Sequence, residues 1–433
     1  MSTNPSGGDT PSEPLRFEVG DGIDEPESAP PGARICAFAS PRRRLLGTGT
    51  AAIVDVPAPW PENTSVVVEF LRAISASTQT TATQSTVTQT TATPVAFAAL
   101  PYDRSSSARF IVPRTLWTHT ADGERARIDV GPPDTTVPPD TTVPPDTTVP
   151  PAATPSPLPA PTEVTVRSVV DPTDWTASVE EARRRIRAGA LDKVVLAREI
   201  ELGFDIPLDA ASLWNRLSVA YPGAFCFCVD GFVGASPELL VSRHSSMVRA
   251  RPMAGTTRRS GVLEADQQAA AVLLASEKNR WEHRITIDAV HDALLGWCSY
   301  LDAEPSPSVV PAGPVQHLAT LVEGRLSTPE PPVLELVAAL HPTPAVGGQP
   351  RDLAIEVQGE LEPHTRGRYA GPVGWMDADG NGTFAVGVRS VDLDGRKGSM
   401  FVGVGVVEDS DPQEELEETR AKAKALLTEL VRI

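Results

Sequence analysis

Three consecutive copies of the hexapeptide PPDTTV interrupt this chain at residues 132–149 and limit how it can fold. A proline pair in every copy favours extended polyproline II segments. The unit is too short for a solenoid repeat, so we interpret residues 131–163 as a semi-stiff, Pro-rich spacer. We therefore expect globular structure on either side of this spacer.

The composition differs on the two sides of the spacer. The chain has 433 residues and 43 prolines, about twice the usual share, and the prolines are concentrated in the first 165 residues. Residues 1–32 are rich in Gly, Pro, Ser and acidic residues, and we predict a disordered N-terminal tail there. We assign residues 33–130 to the first part of the fold, with a Thr-rich surface insertion at about residues 76–94. The long periodic segments of residues 164–433 predict the main globular body.

Charge and cysteine content exclude several classes of partner. The formal net charge of −18 argues against nucleic acid or an anionic membrane surface. The sequence has no basic, apolar leader and no run of about 18 apolar residues. The four cysteines are too sparse for a disulfide framework and lack the spacing of a zinc site. We expect a cytoplasmic monomer that binds neither nucleic acid nor membranes.

The main body mixes helical and strand patterns without a regular βαβα alternation, which predicts an α+β fold. Strand patterns occur in ALDKVVLAREI, GAFCFCVDGFVGASPELLVSR, GTFAVGVRSVDL and SMFVGVGVV. A capping box at Ser178 and Glu181 predicts the start of the helix before the first of these strands. Asp411 and Pro412 predict the start of the last helix.

Several polar residues stand out against these patterns. Lys193 lies at the front of an apolar strand, where it either marks an edge or takes part in chemistry. In the last helix, Glu415, Glu418 and Lys422 fall on one face. Such a face is either solvated or part of a Mg²⁺ site, since this cation takes one or two carboxylates. Glu282, in another helical segment, is either a surface residue or a further ligand.

Turns near these residues suit the approach of a ligand. Glu238 follows a Ser-Pro turn in GFVGASPELLV, which either aims it into a cleft or leaves it on the polar side of a strand. RPMAGTTRR and LHPTPAVGGQP combine Gly, Pro and small hydroxyl residues, which allow close backbone approach. Neither segment is a Walker loop or a dinucleotide fingerprint, so a nucleotide is not implied.

Nine segments, taken in order, resemble the chorismate-utilising enzymes. This family contains isochorismate synthase, salicylate synthase, anthranilate synthase component I and aminodeoxychorismate synthase. The segments are LDKVVLAR, FVGASPELLV, RPMAGTTRR, SEKNRWEH, VQHLATLVEGRL, LHPTPAVGG, RGRYAGPVGW, FAVGVRS and GVGVVEDSDPQEELEETRAKAKALL. The resemblance covers nearly all of residues 165–433. It implies a single large chorismate-binding domain in which two packed β-sheets form the core and helices flank them.

The resemblance also implies roles for individual residues. Lys193 matches the base that activates water, and burial among its apolar neighbours would favour its neutral form. Glu238 matches the acid that protonates a departing hydroxyl. Glu282 and Glu418 match the ligands of Mg²⁺, with Glu415 in support. The implied substrate-binding residues are Arg389, Lys422, Tyr369, Gly255, Thr256, His341, Thr343, Ala345, Gly403 and Gly405.

A few positions distinguish the members of the family. Anthranilate synthases resemble this sequence but carry glutamine at the position of Lys193, and aminodeoxychorismate synthases usually carry lysine at the position of Ala254. Salicylate synthases differ across His341–Ala345. The resemblance therefore implies Mg²⁺-dependent conversion of chorismate to isochorismate, with salicylate synthase as the alternative and a non-catalytic binding protein as a more distant one. Asn279 departs from the acidic residue that is frequent three positions before Glu282, which predicts weaker or more magnesium-dependent binding.

Overall fold

The computed structural model describes residues 16–19, 35–79, 93–121, 125–131 and 161–431. Almost all of the predicted spacer, and most of the predicted tail and Thr-rich insertion, lie outside these ranges. Within them, no helix is both long enough and apolar enough to cross a membrane.

The described residues form eight α-helices, one 3₁₀ turn at Trp60–Glu62 and twenty-four strands. The helices are α1 (Ser65–Gln79), α2 (Pro172–Arg187), α3 (Ala210–Ala220), α4 (Leu263–Ala275), α5 (Glu277–Leu295), α6 (Val333–Leu340), α7 (Arg351–Leu361) and α8 (Pro412–Val431). The strands before the spacer are β1 (Arg16–Val19), β2 (Ile35–Ala39), β3 (Arg43–Thr48), β4 (Ala52–Val56), β5 (Val95–Ala99), β6 (Ala108–Val112), β7 (Thr115–Thr120) and β8 (Arg125–Gly131). Those after it are β9 (Val164–Ser168), β10 (Lys193–Phe204), β11 (Phe225–Val229), β12 (Phe232–Ser236), β13 (Leu239–His244), β14 (Met247–Arg251), β15 (Met253–Arg258), β16 (Cys298–Ala303), β17 (Ser308–Ala312), β18 (Val315–Ala319), β19 (Val322–Leu326), β20 (Gly348–Gln349), β21 (Pro372–Asp377), β22 (Gly382–Val386), β23 (Ser390–Asp394) and β24 (Lys397–Val406).

Antiparallel pairing assembles these strands into two large sheets and one small sheet. The first sheet has 12 strands in the order β1-β8-β7-β3-β2-β11-β12-β23-β24-β10-β20, with β9 beside β10. The second has 9 strands in the order β16-β19-β14-β13-β22-β21-β5-β6-β4, and the third consists of β15, β18 and β17. Strands from both sides of the spacer enter both large sheets. The two parts of the chain therefore build one structural unit.

The two large sheets pack face to face around one apolar core. Phe38 and Phe227 of the first sheet and Phe97 and Phe384 of the second are all buried in a single cluster. Along β2 the side chains alternate between the two faces of the sheet, and Ala37 belongs to a separate cluster beneath α3 and α8. This arrangement confirms the predicted α+β fold with two packed sheets flanked by helices.

Two of the points at which the chain crosses between the two large sheets lie next to each other. One crossover joins β12 to β13 and contains Glu238, and the other joins β22 to β23 and contains Arg389. The amide of Val386 donates to the carbonyl of Glu238 at 3.1 Å, and the amide of Ala235 donates to the carbonyl of Arg389 at 3.1 Å. These backbone bonds hold the two crossovers side by side. Glu238 and Arg389 therefore both lie at the edge of the apolar core between the two large sheets.

Two predictions about local structure are wrong. Helix α2 begins at Pro172, because the Asp171 side chain accepts a hydrogen bond from the amide of Thr173. Ser178 therefore lies inside this helix and does not cap it. Arg16–Val19, within the predicted disordered tail, pair as β1 with β8. Pairing with a distant strand satisfies the backbone of a segment that composition alone marks as unstructured.

Candidate active site

A cavity of about 370 Å³ opens beside the two crossovers, between the end of the first sheet and helices α5 and α8. Most of the residues that the sequence singled out line this cavity. They are Glu238, Gly255, Thr256, Glu282, Ala345, Tyr369, Arg389, Gly403, Gly405, Glu415, Glu418 and Lys422. Segments that are far apart in the sequence are thus brought together in one place.

Lys193 borders this cavity as a buried charge. Its side chain is 1% exposed, and Nζ lies 2.9 Å from Oε1 of Glu282 on α5. Gly405, on the neighbouring strand β24, faces this ion pair. A Cβ atom at Gly405 would lie 2.4 Å from Oε1 of Glu282 and 2.8 Å from Cε of Lys193. A larger residue at this position would collide with the pair, which explains the glycine.

Glu238 is a buried carboxyl group that is protonated at neutral pH. Burial raises the pKa of Glu238 to about 8, against the opposing effects of the Met253 amide and of the charges on Lys193 and Arg389. Desolvation disfavours the carboxylate more than these groups favour it. A carboxyl group that carries its proton near pH 7 can act as a general acid.

Arg389 points into the cavity from a strained backbone position. Its φ of 52° lies in the left-handed region, which is uncommon for a residue with a side chain and recurs at functional sites. Nη2 of Arg389 lies 2.7 Å from Nε2 of His317, and Nδ1 of His317 lies 3.1 Å from Oγ1 of Thr256. Burial lowers the pKa of His317 well below its usual range. Because a guanidinium only donates, Nε2 of the neutral imidazole accepts and Nδ1 carries the hydrogen.

His317 was missed by the sequence reasoning. It occurs in VQHLATLVEGRL, one of the segments that carry the family resemblance, and that is the signal that could have found it. A single histidine in a strand pattern does not otherwise indicate a contact with an arginine 72 positions away.

The opposite wall of the cavity is formed by Gly403, Tyr369 and Lys422. Nζ of Lys422 donates to the carbonyl of Gly403 at 2.9 Å. The Tyr369 hydroxyl lies 3.0 Å from where a Cβ atom of Gly403 would be, and the Tyr369 ring stacks on Phe401 at 5.3 Å. Burial raises the pKa of Tyr369 above its usual range, so the hydroxyl keeps its proton. This wall offers hydrogen-bond donors to an anionic ligand.

Three carboxylates in the cavity are each matched with a lysine. The pairs are Lys193 with Glu282 at 2.9 Å, Lys278 with Glu415 at 3.7 Å and Lys422 with Glu418 at 2.6 Å. Burial, and then the charge of Glu418, raise the pKa of Glu415 to about 7, and Glu282 adds to this effect. The charges of Glu418 and Glu282 thus both act on the Glu415 carboxyl group.

This donor set fits a hard divalent cation. In the ranges given above, no three Asp, Glu, His or Cys side chains already surround one point as a formed metal centre. The lysine pairs account for this, because each carboxylate is directed towards an ammonium group. Mg²⁺ needs only one or two protein carboxylates, with water and substrate oxygens completing its shell. Glu282 and Glu418 could supply these two, with Glu415 close by.

His341 and Thr343 lie outside the cavity lining, unlike most of the other residues expected to bind substrate. Nε2 of His341 lies 2.9 Å from the carbonyl of Tyr102, and the two rings meet edge to face. The carbonyl of Thr343 accepts from the amide of Gly347 at 2.8 Å. Both residues support the loop through these contacts, and Ala345 and Val346 of the same loop line the cavity.

Three comparisons relate the chain to known proteins. The model of a family described as chorismate binding enzyme matches residues 39–431. Isochorismate synthase DhbC of Bacillus subtilis is 33% identical over 90% of this chain and 92% of that protein. Isochorismate synthase MenF of the same organism is 38% identical over 60% of this chain, and the match spans 56% of MenF. A crystal structure of DhbC from Bacillus anthracis superposes with a TM-score of 0.74 at 30% identity, covering 91% of this chain and 96% of that one.

Asn279 lies at the start of α5 and lines the cavity. Its Nδ2 donates to Oγ of Ser276 at 2.8 Å, and Ser276 also caps the helix. Its side chain packs at 3.1 Å from where a Cβ atom of Gly255 would be, and the positive φ of Gly255 suits this close approach. An amide at this position therefore contributes hydrogen bonding but no charge to the carboxylate cluster.

We predict that Asn279→Asp tightens Mg²⁺ binding by about tenfold, because it adds a negative charge next to the proposed ligands. Isothermal titration calorimetry with Mg²⁺ alone measures this effect without turnover. Asn63→Asp, which adds the same charge at an exposed position outside the cavity, serves as the control. An unchanged affinity in the Asn279 variant would contradict the prediction.

Proposed function

The chain belongs to the family of chorismate binding enzymes, and on this premise we propose that it is an isochorismate synthase. The reaction adds water at C2 of chorismate and removes the hydroxyl at C4. The observation that carries the proposal is a buried, protonated Glu238 in the cavity, with the buried Lys193 beside the cavity residues Glu282 and Gly405. The charge of Lys193 lowers the pKa of Glu238, so the proposed base and the proposed acid are close enough to act on one ligand.

In the proposed mechanism, Lys193 takes a proton from the water that attacks C2, and Glu238 gives its proton to the C4 hydroxyl as it leaves. The two transfers cancel, so the isomerisation consumes no net proton. After turnover Lys193 is protonated and Glu238 is charged, and both must be reset. Because Glu282 holds the Lys193 ammonium in this structure, Glu282 must be engaged elsewhere before Lys193 can act as a base.

We propose Mg²⁺ as the cofactor, held by Glu282 and Glu418 with Glu415 in support. When bound, the ion supplies positive charge that holds a substrate carboxylate and stabilises negative charge in the transition state. Arg389 and Lys422 provide further positive charge for the two carboxylates of chorismate. A chain with a net charge of −18 needs such local cations to bind a dianion.

The remaining cavity residues shape the space around the substrate. Tyr369 offers a protonated hydroxyl beside Gly403, and Gly405 leaves room for the Lys193–Glu282 pair at the cavity. Thr256, next to Gly255, touches His317, and Ala345 closes the wall from the opposite loop. We propose these groups as substrate contacts, whereas Thr343 and His341 act only through the loop that they support.

The closest alternative is a salicylate synthase, which forms the same intermediate and then eliminates pyruvate. It is less favoured, because the relatives described above are isochorismate synthases. A non-catalytic binding protein is disfavoured because the base, the acid and both proposed metal ligands are all present at one cavity. The product would serve menaquinone or siderophore synthesis. The monomeric state and cytoplasmic location stay predictions, although four free cysteines suit a reducing compartment.

Incubation of the purified protein with chorismate tests the proposed function. We expect isochorismate to form with Mg²⁺ and not after chelation of the metal, alongside remaining chorismate and without pyruvate. Chromatography resolves the products. Salicylate together with pyruvate would instead assign the lyase activity, and the absence of any turnover would reject the proposal.

Lys193→Ala should lower kcat by about 10²- to 10⁴-fold, because water then lacks its base. We expect the fold to be retained, since the vacated space adjoins the cavity and water can reach Glu282. Circular dichroism monitors the fold while turnover is measured. Lys397→Ala, at an exposed position outside the cavity, is the matched control. Near-normal turnover by a folded Lys193 variant would remove this residue as the base.

Turnover should fall as the pH rises through about 8, because the protonated fraction of Glu238 decreases above a pKa of about 8. Below that pH, Glu238 keeps its proton and the acid remains available. The dependence of kcat/KM on pH measures this decrease at high pH. Glu238→Gln should lose most activity, and its remaining activity should not show the decrease. A flat profile between about pH 7 and 9 would contradict this role for Glu238.

A further inference from the structure

One edge of strand β10 lacks a neighbouring strand just beyond Lys193. On that edge β20 pairs with Lys193 and Val194, and β9 pairs with Ile200–Phe204. Between these segments, the carbonyl of Val195 accepts from Nη2 of Arg366 at 2.8 Å. It also accepts from Nε2 of Gln358 at 2.9 Å. Buried side chains therefore take the place of a strand at this edge.

A buried carboxylate completes this edge. The amide of Ala197 donates to Oε1 of Glu362 at 2.8 Å. Nε of Arg366 donates to Oε2 of the same Glu362 at 2.8 Å, and the two side chains are only 3% and 5% exposed. The Arg366 guanidinium also lies over the ring of Tyr102 at 4.5 Å. Its orientation is therefore fixed from several sides.

Arg366 joins three segments that line the cavity. It bonds Val195, two residues after Lys193, and Nη1 donates to the carbonyl of Val346 at 2.7 Å. Val346 follows Ala345 in the loop that closes the cavity wall. The carbonyl of Arg366 accepts from the amide of Tyr369 at 3.0 Å. The guanidinium therefore sets the spacing between the proposed base and the wall formed by the Ala345 loop, and the Arg366 backbone ties this arrangement to Tyr369.

We propose that Arg366 is a positioning residue for the reaction. It holds Lys193 at a fixed position relative to the cavity walls and does not touch the substrate. The inference rests on the proposed function. Only arginine offers a planar fork of five donors that can bond two carbonyls and a carboxylate at once. Stability alone is a weak explanation, because a buried ion pair is often no more stabilising than apolar residues. Misplacement of a reacting group by about 1 Å can cost about 10²-fold in rate.

Arg366→Lys tests this inference, since lysine keeps the charge beside Glu362 but loses the fork. We expect kcat to fall by about 10- to 100-fold, with KM for chorismate within about threefold of wild type, because Arg389 and Lys422 are untouched. Gln358→Met, which removes a donor to Val195 without altering charge, should lower kcat in the same way but less. It provides the test if the lysine variant does not fold.

Arg368→Lys is the matched control on the same loop. Arg368 pairs with Asp392 and donates to the carbonyls of Val229 and Asp230, and none of these residues lines the cavity. We expect a comparable loss of Tm with kcat within about twofold of wild type. If Arg366→Lys and Gln358→Met keep wild-type kcat, or change kcat and KM only as the Arg368 control does, the inference is overturned. Absence of turnover by the wild-type protein would instead reject the proposed function.

Discussion

The ion pair between Lys193 and Glu282 is the constraint around which the site is arranged. A buried ammonium group is costly unless a carboxylate accompanies it, so β10 must meet α5 at this point. Gly405 follows from the same pair, because a side chain on β24 would overlap it. Three elements are thus fixed together by one electrostatic requirement.

The position of the site follows from where the apolar interface stops. Charged side chains cannot lie between two packed sheets, but the two crossovers place Glu238 and Arg389 at the edge of this interface. Here burial keeps a proton on Glu238 while Arg389 remains a cation. Lysine–carboxylate pairs balance the charge in the same cavity. A divalent cation together with a dianionic substrate would preserve that balance.

Local patterns in the sequence predicted the parts of the fold that depend on nearby residues. Asp411 caps α8 as expected, and this helix directs Glu415, Glu418 and Lys422 into one cavity because their spacing puts them on one face. The pairing of distant strands, and which residues of a loop face the cavity, were harder to predict from the sequence. Arg16–Val19 pair with a strand more than a hundred residues away, and His341 turns towards Tyr102 although Ala345 in the same loop reaches the cavity. Such contacts depend on tertiary partners that periodicity does not reveal.

In the proposed reaction, Lys193 activates a solvent water to attack the substrate ring. Turnover of chorismate in water enriched in heavy oxygen tests it directly, with mass spectrometry of the isochorismate formed. We expect one heavy oxygen in the product, located in the hydroxyl at C2. Product without the label would show that the substrate's own hydroxyl migrates, and would contradict the role of Lys193 as a base for water.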